Sequence, residues 1–399
     1  MMERDIVSEA PAEELLKEYR TGNSFFFSSP ERTILAEGVF AAVSEAEGLN
    51  QMENLAQRAA ALLKQAKQAG QSRPLLVGAV PFDETKPVRL TVPEAVRFAG
   101  PLRFAGDEPE SAALAYDYKI QPVPEPEEYM SGVKRGLAGI AAGDFSKIVL
   151  SRSLHLASPE KIDIEDLLSS LTRHNSSGYT FAVDVSTQNT ETPKTLIGAS
   201  PELLVTKSGL RVSANPLAGS RPRSSDPRED QRRAAELLSS AKDRHEHAVV
   251  AEAVASGLRP FCKTLNVPEE PSLITTETMW HLSTEITGEL RDDSISSLTL
   301  AAALQPTPAV CGTPTEAARK AIQEIEPFER GFFTGMVGWC DAEGDGEWVV
   351  TIRCAEAEEC SLSLFAGAGI VAGSKPEDEL AETSAKFRTM LRAMGMNSE

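Results

Sequence analysis

Two β-forming runs near the carboxy terminus constrain this chain most: GEWVVTIRCAE, beginning at Gly346, and CSLSLFAGAGIV, ending at Val371. They stand back to back ahead of a helical pattern, so the chain must build a sheet and lay a helix against it. In a continuous strand over the first run, Trp348, Val350, Ile352 and Cys354 share one face, and Val349, Thr351 and Arg353 the other. Arg353 interrupts that run. A charge in such a strand is rarely buried unpaired, so Arg353 either reaches a carboxylate ligand or closes a structural ion pair at the strand end.

In the terminal helix, Ser374 and Glu377 make a capping box and Pro376 suits the first turn. At about 100° per residue, Leu380, Phe387, Leu391 and Met394 share one face, and Glu379, Glu382 and Lys386 an adjacent one. Upstream, Gly70 to Pro101 reads as short strands between turns. Met130, Val133, Leu137 and Ile140 recur at helical spacing up to Gly143, just before the strand KIVLSRSLHL from Lys147. The stretch from Asp107 to Glu128, rich in Pro and Glu, reads as an exposed connection, and one long helix is expected from about Arg228 to Leu258. No repeat of solenoid or propeller period occurs.

With 399 residues, 41% of them apolar and 25% charged, the composition is that of an ordinary globular protein. A formal charge of −19 argues against nucleic acid or an anionic membrane as partner, because a binder of polyanions needs an electropositive footprint. An anionic substrate would need local cations to offset that field. The five cysteines, Cys262, Cys311, Cys340, Cys354 and Cys360, lack CxxC spacing and read as structural thiols of a reducing compartment. The amino terminus is acidic with no signal-like apolar core, and no run of about 18 apolar residues occurs, so a cytoplasmic location is expected.

Within AKDRHEHAVV, Asp243 and Glu246 stand three apart on one helix face, flanked by His245 and His247. The histidines are two apart and point to different faces, unlike a zinc-binding pair; oxygen ligands drawn from Glu246 and Glu382 would suit magnesium instead. Taken alone, the cluster reads first as a solvated charged face. FAGAGIVAG superficially matches a dinucleotide fingerprint, but too little chain follows Gly369 for the rest of that unit. Gly367 and Gly369 could bring backbone N–H groups to a ligand carboxylate or simply pack a strand. Lys147 and Glu202 carry no signal alone, and no pattern pairs them.

Together, KIVLSRSL, GASPELLV, NPLAGSR, AKDRHEHAVVAEAV, TMWHLST, QPTPAVCGTP, EPFERGFFTGMVGWC, LFAGAGIV and ELAETSAKF resemble, in order, the chorismate-utilising enzymes, which include the anthranilate, aminodeoxychorismate, salicylate and isochorismate synthases. SFFFSSPERTILAEG and VGAVPFD resemble the isochorismate synthases of catechol-siderophore pathways. The resemblance implies an α+β fold, one unit over 1–399 with a divergent part at 1–106 and a catalytic core at 127–395, in which two stacked β-sheets carry helices outside and the site between them.

It further implies that Lys147 is the base activating a water for attack at C2 of the ring, and Glu202 the acid protonating the departing C4 hydroxyl. Burial would have to lower the pKa of the one and raise that of the other. Glu246 and Glu382 match magnesium ligands, with Glu379 and Asp243 as outer partners. Arg353, Lys386 and the Gly367 backbone match the pyruvyl-carboxylate site, His281 the ring-site histidine, and Ala309 and Val310 the pocket lining. Ser220 stands where many relatives carry Thr. The family members that use ammonia usually lack a lysine at the Lys147 position, so water is the expected nucleophile. Conversion of chorismate to isochorismate by a magnesium-dependent cytoplasmic monomer is the expectation. A salicylate synthase, or a chorismate-binding protein without turnover, are the alternatives.

Overall fold

Strand Ser361–Val371 pairs antiparallel along its whole length with Lys147–Ala157, setting Val371 opposite Lys147 and Gly369 opposite Val149. This pair anchors a ten-stranded sheet in a computed structural model that describes residues 11–22, 24–46, 50–104, 117–175, 177–186 and 192–396. Outward from the pair run Cys354–Glu358, Thr195–Ser200, Tyr179–Asp184, Ser24–Ser28, Thr33–Glu37 and Ala95–Ala99. A nine-stranded sheet centres on Leu203–Ser208, Gly346–Val350, Met336–Asp341 and Leu75–Val80, and a three-stranded one comprises Leu217–Pro222, Met279–Ser283 and Ser272–Thr275.

The two large sheets face each other. Phe25, Phe27, Ile34, Phe181 and Phe365 from one meet Leu75, Val77, Val337, Trp339 and Val349 from the other in a single buried cluster. Each fully buried side chain of this kind contributes roughly 1.5–3 kcal/mol. Alternate residues point outward: Phe26, Leu35, Ala182 and Ile197 join a cluster with helices Ala12–Glu18, Ile164–His174 and Pro376–Ala393. On the other sheet, Val205, Val212 and Trp348 pack against Leu55–Gln68, Ala241–Leu258 and Ser297–Leu304. The expected sandwich with helices outside is thus present.

Four expectations require correction. The helix expected from Arg228 to Leu258 is two, Pro227–Ser239 and Ala241–Leu258, because Ser240 adopts extended backbone and caps the second through its side chain to Asp243 N. The terminal helix starts at Pro376 as expected, but without a side-chain cap: Ser374 Oγ accepts from Val371 N instead. Part of the Asp107–Glu128 connection is strand Lys119–Val123, paired with Lys147–Ala157; residues 105–116 lie outside the described ones. GEWVVTIRCAE is two strands, Gly346–Val350 and Cys354–Glu358, in different sheets, so the alternation fails beyond Val350. Of the cysteines, Cys262, Cys311, Cys340 and Cys354 are buried free thiols, and Cys360 is free and exposed. No helix among the described residues is long and apolar enough to cross a membrane.

Candidate active site

Twice the chain passes between the two large sheets at neighbouring places, and each passage carries a charged residue inward. Glu202 lies between Thr195–Ser200 and Leu203–Ser208, and Arg353 between Gly346–Val350 and Cys354–Glu358. The passages hold each other: Ser200 Oγ donates to Val350 O at 2.7 Å, Val350 N to Glu202 O at 3.1 Å and Ala199 N to Arg353 O at 2.9 Å. Arg353 turns through a left-handed φ of 50°, and nearby Thr334 takes φ 62°, a conformation rarely accepted by a β-branched residue. Thr334 N donates to Thr351 O at 2.7 Å and Thr351 N to Gly335 O at 3.0 Å, which braces both turns.

Lys147 opens its strand, is 1% exposed, and sets Nζ 2.9 Å from Glu246 Oε1 of the Ala241–Leu258 helix. The pair has ionic contact without hydrogen-bond alignment, leaving the Nζ donors unmet. Gly369 makes room for it, since a Cβ there would stand 2.2 Å from Glu246 Oε1 and 3.1 Å from Lys147 Cε. Gly369→Ala is accordingly expected to lower kcat/KM by about 100-fold at unchanged circular dichroism, checked by steady-state kinetics; near-normal kinetics would show that the contact has no bearing on the reaction.

From the terminal helix, Glu382 pairs with Lys386 at 2.7 Å and accepts from Ser220 Oγ at 3.0 Å, while Glu379 pairs with Lys242 at 3.1 Å. Lys386 Nζ also donates to Gly367 O at 2.8 Å, so Gly367 offers a taken carbonyl on this side. Ser220 and His281 are register partners in the small sheet, and Arg353 Nη2 lies 3.5 Å from His281 Nε2. Asp243 does not join Glu246, because Arg221 holds it in an ion pair at 2.6 Å. His247 bonds Ala218 O and Thr284 Oγ1, and burial lowers its pKa to about 4, which makes it a neutral structural group.

Electrostatics separates these groups further. Burial pushes the Glu202 carboxyl up to about 7, outweighing the Leu217 N–H and the charges of Lys147, Arg353 and Lys386, which act to lower it. Burial, then Arg353 and Lys386, hold His281 well below its usual value, so it is neutral. Burial lowers Arg353 to about 10, which leaves it a cation at neutral pH. Burial and the neighbouring Glu382 charge raise Glu379; for Glu382 burial acts upward too, but Lys386, Ser220 and Lys242 outweigh it.

Glu202, Ser220, Glu246, His281, Ala309, Val310, Arg353, Gly367, Glu382 and Lys386 line one cavity of about 60 Å³. Lys147 and Glu379 stand behind that lining, Lys147 through Glu246. Substrate sites usually hold about 300 Å³ or more, so this one would have to widen to admit the expected ring with two carboxylates. A larger cavity, about 1010 Å³ between Phe82, Lys86, Phe328 and Glu358, contains none of the expected residues, which gather at the smaller one. Among the described residues no three His, Cys, Asp or Glu side chains are grouped to hold a metal; lysines stand on the carboxylates instead. The donors are nonetheless all carboxylate oxygens on two facing helices, which suits a hard cation. Lys242, Thr334 and Phe365 were not anticipated, although all three lie within the segments that carry the resemblance; nothing local in AKDRHEH, GFFTGM or LFAG singles them out.

Residues 103–395 match the chorismate binding enzyme family. The chain is 67% identical over 398 residues to isochorismate synthase DhbC of Bacillus subtilis, spanning 100% of both. It is 45% identical to the vibriobactin-specific isochorismate synthase of Vibrio cholerae, over 99% of this chain and 98% of that one. The crystal structure of DhbC from Bacillus anthracis superposes with a TM-score of 0.91 at 59% identity, covering 97% of this chain and 100% of that one. Menaquinone-specific MenF from Escherichia coli, at 22% identity and TM-score 0.79 over 97% and 92%, shares the fold.

Proposed function

The chain belongs to the chorismate-binding enzyme family, and from that premise we propose that it is an isochorismate synthase, isomerising chorismate to isochorismate for 2,3-dihydroxybenzoate siderophore synthesis. The observation that carries the mechanism is a buried amine, Lys147, within electrostatic reach of a carboxyl, Glu202, whose pKa burial holds near neutrality. Lys147 Nζ, in its neutral form, takes a proton from the water that attacks C2. Glu202 gives its proton to the C4 hydroxyl, which leaves as water while the ring double bonds shift, so no atom is gained overall. Arg353 and Lys386 receive the pyruvyl carboxylate, and neutral His281 and Ser220 orient the ring through hydrogen bonds. Ala309 and Val310 pack beside it. These local cations answer the −19 charge of the chain.

Magnesium fits the carboxylate set: Glu246 and Glu382 would hold it, with Glu379 behind them, and when bound it supplies positive charge against the ring carboxylate. The protein works as a cytoplasmic monomer, with residues 127–395 as its catalytic core.

Incubation with chorismate, with and without magnesium, tests this by chromatography of the products. Magnesium-dependent isochorismate without pyruvate is expected; salicylate with pyruvate, or untouched chorismate, would contradict it. Glu246→Ala should raise the magnesium concentration for half-maximal activity at least tenfold, and an unchanged metal titration would remove Glu246 from the ligand set.

A further inference from the structure

Arg330 is 4% exposed, yet every N–H of its guanidinium is used. Nε and Nη2 donate to the two oxygens of Glu326 at 2.8 and 2.6 Å, Nη1 donates to Val310 O at 2.8 Å and Thr334 Oγ1 at 3.2 Å, and Nη2 also donates to Val149 O at 2.8 Å. Glu326 Oε1 in turn accepts from Ser151 N at 2.8 Å. Val149 and Ser151 follow Lys147 on its strand, and Val149, Val310 and Thr334 all line the active-site cavity, which Arg330 itself does not. Buried ion pairs are weak sources of stability, since desolvation offsets most of their attraction. What this one does is specify geometry: five donors in a rigid fork match acceptors on three separate segments, one of them a threonine in left-handed backbone.

We propose that Arg330, braced by Glu326, is a positioning residue for the reaction: it fixes three walls of the cavity and the course of the Lys147 strand without touching substrate. This rests on the isochorismate synthase reading. The test is Arg330→Lys, alone and combined with Thr334→Gly, assayed beside the wild type with chorismate and magnesium. Lysine keeps the charge but has three donors and no fork. The single variant should remain folded and lose about 100-fold in kcat, with KM within about threefold. The double variant should recover at least tenfold, because glycine takes the left-handed conformation of Thr334 without the steric penalty that a β-branched residue incurs.

A kcat per folded molecule equal to wild type, a change in KM alone, or a double variant no faster than the single one would overturn the role. If Arg330→Lys does not fold, Glu326→Gln decides: a tenfold lower kcat supports the role and a wild-type kcat overturns it. An inactive wild type would overturn the function and this role together, whereas an active wild type with an unimpaired variant overturns the role alone.

Discussion

Lys147→Ala is expected to reduce kcat by at least about 1000-fold while the protein still binds chorismate in the presence of magnesium. The strand that carries Lys147 is paired over eleven residues with Ser361–Val371, so its backbone does not depend on the amine. Removing the amine does leave Glu246 without its partner, so loss of activity alone would be ambiguous. Lys147→Arg resolves that. Arginine keeps a cation beside Glu246 but cannot serve as a base near neutral pH, so it should be as inactive as alanine. Chorismate binding by calorimetry and turnover by chromatography check both variants, and a rate within tenfold of wild type in either would remove Lys147 as the base.

Glu202→Gln should be nearly as severe in rate and opposite in stability. The amide cannot deliver a proton to the C4 hydroxyl, so a loss of about 100- to 10,000-fold in kcat is expected. In the wild type the acid form disappears as pH rises through about 7, so kcat should fall on the alkaline side there, and the glutamine variant should lack that limb. Stability follows from the same burial. The folded-state pKa lies above the unfolded one, so the folded state binds more protons between about 4.5 and 7, and wild-type stability declines as pH rises across that window. Glutamine has no such decline, and above pH 7 it should be the more stable protein by about 3 kcal/mol. Denaturant melts at pH 5 and pH 8 measure this; a variant destabilised equally at both would mean that the carboxyl is not buried as described.

The elements that the sequence made legible were those governed by local periodicity. The Lys147 strand, the helix ending at Gly143 and the terminal helix presenting Glu379, Glu382 and Lys386 together all follow from spacing and turn chemistry. The site did not follow from spacing. Lys147, Glu202, Glu246 and Arg353 come from different elements, and only the resemblance of whole segments put them in one list. GEWVVTIRCAE shows why: every residue from Trp348 to Cys354 except Arg353 suits a strand, and nothing local says that the chain leaves one sheet at Val350 and enters another at Cys354. That turn is held because Thr334 N donates to Thr351 O and Thr351 N to Gly335 O, contacts between residues 17 and 16 apart. The clamp at Arg330 was hidden in part: Glu326 stands at i−4, but the acceptors that tie it to the cavity walls include the backbone carbonyls of Val310 and Val149, which no side-chain pattern encodes.

The paired passages between the sheets make the reaction a gauge of how the two layers sit on one another. Glu202 and Arg353 ride on backbone that belongs to both, so a slight shear of one layer over the other would displace the proposed proton donor and the proposed anion-binding charge in the same motion. On that proposal, interlayer side chains such as Phe27 and Val337 would bear on rate as well as on folding. The chemistry could not be transplanted as a loop: a scaffold that received these residues would have to receive the alignment of the two layers with them.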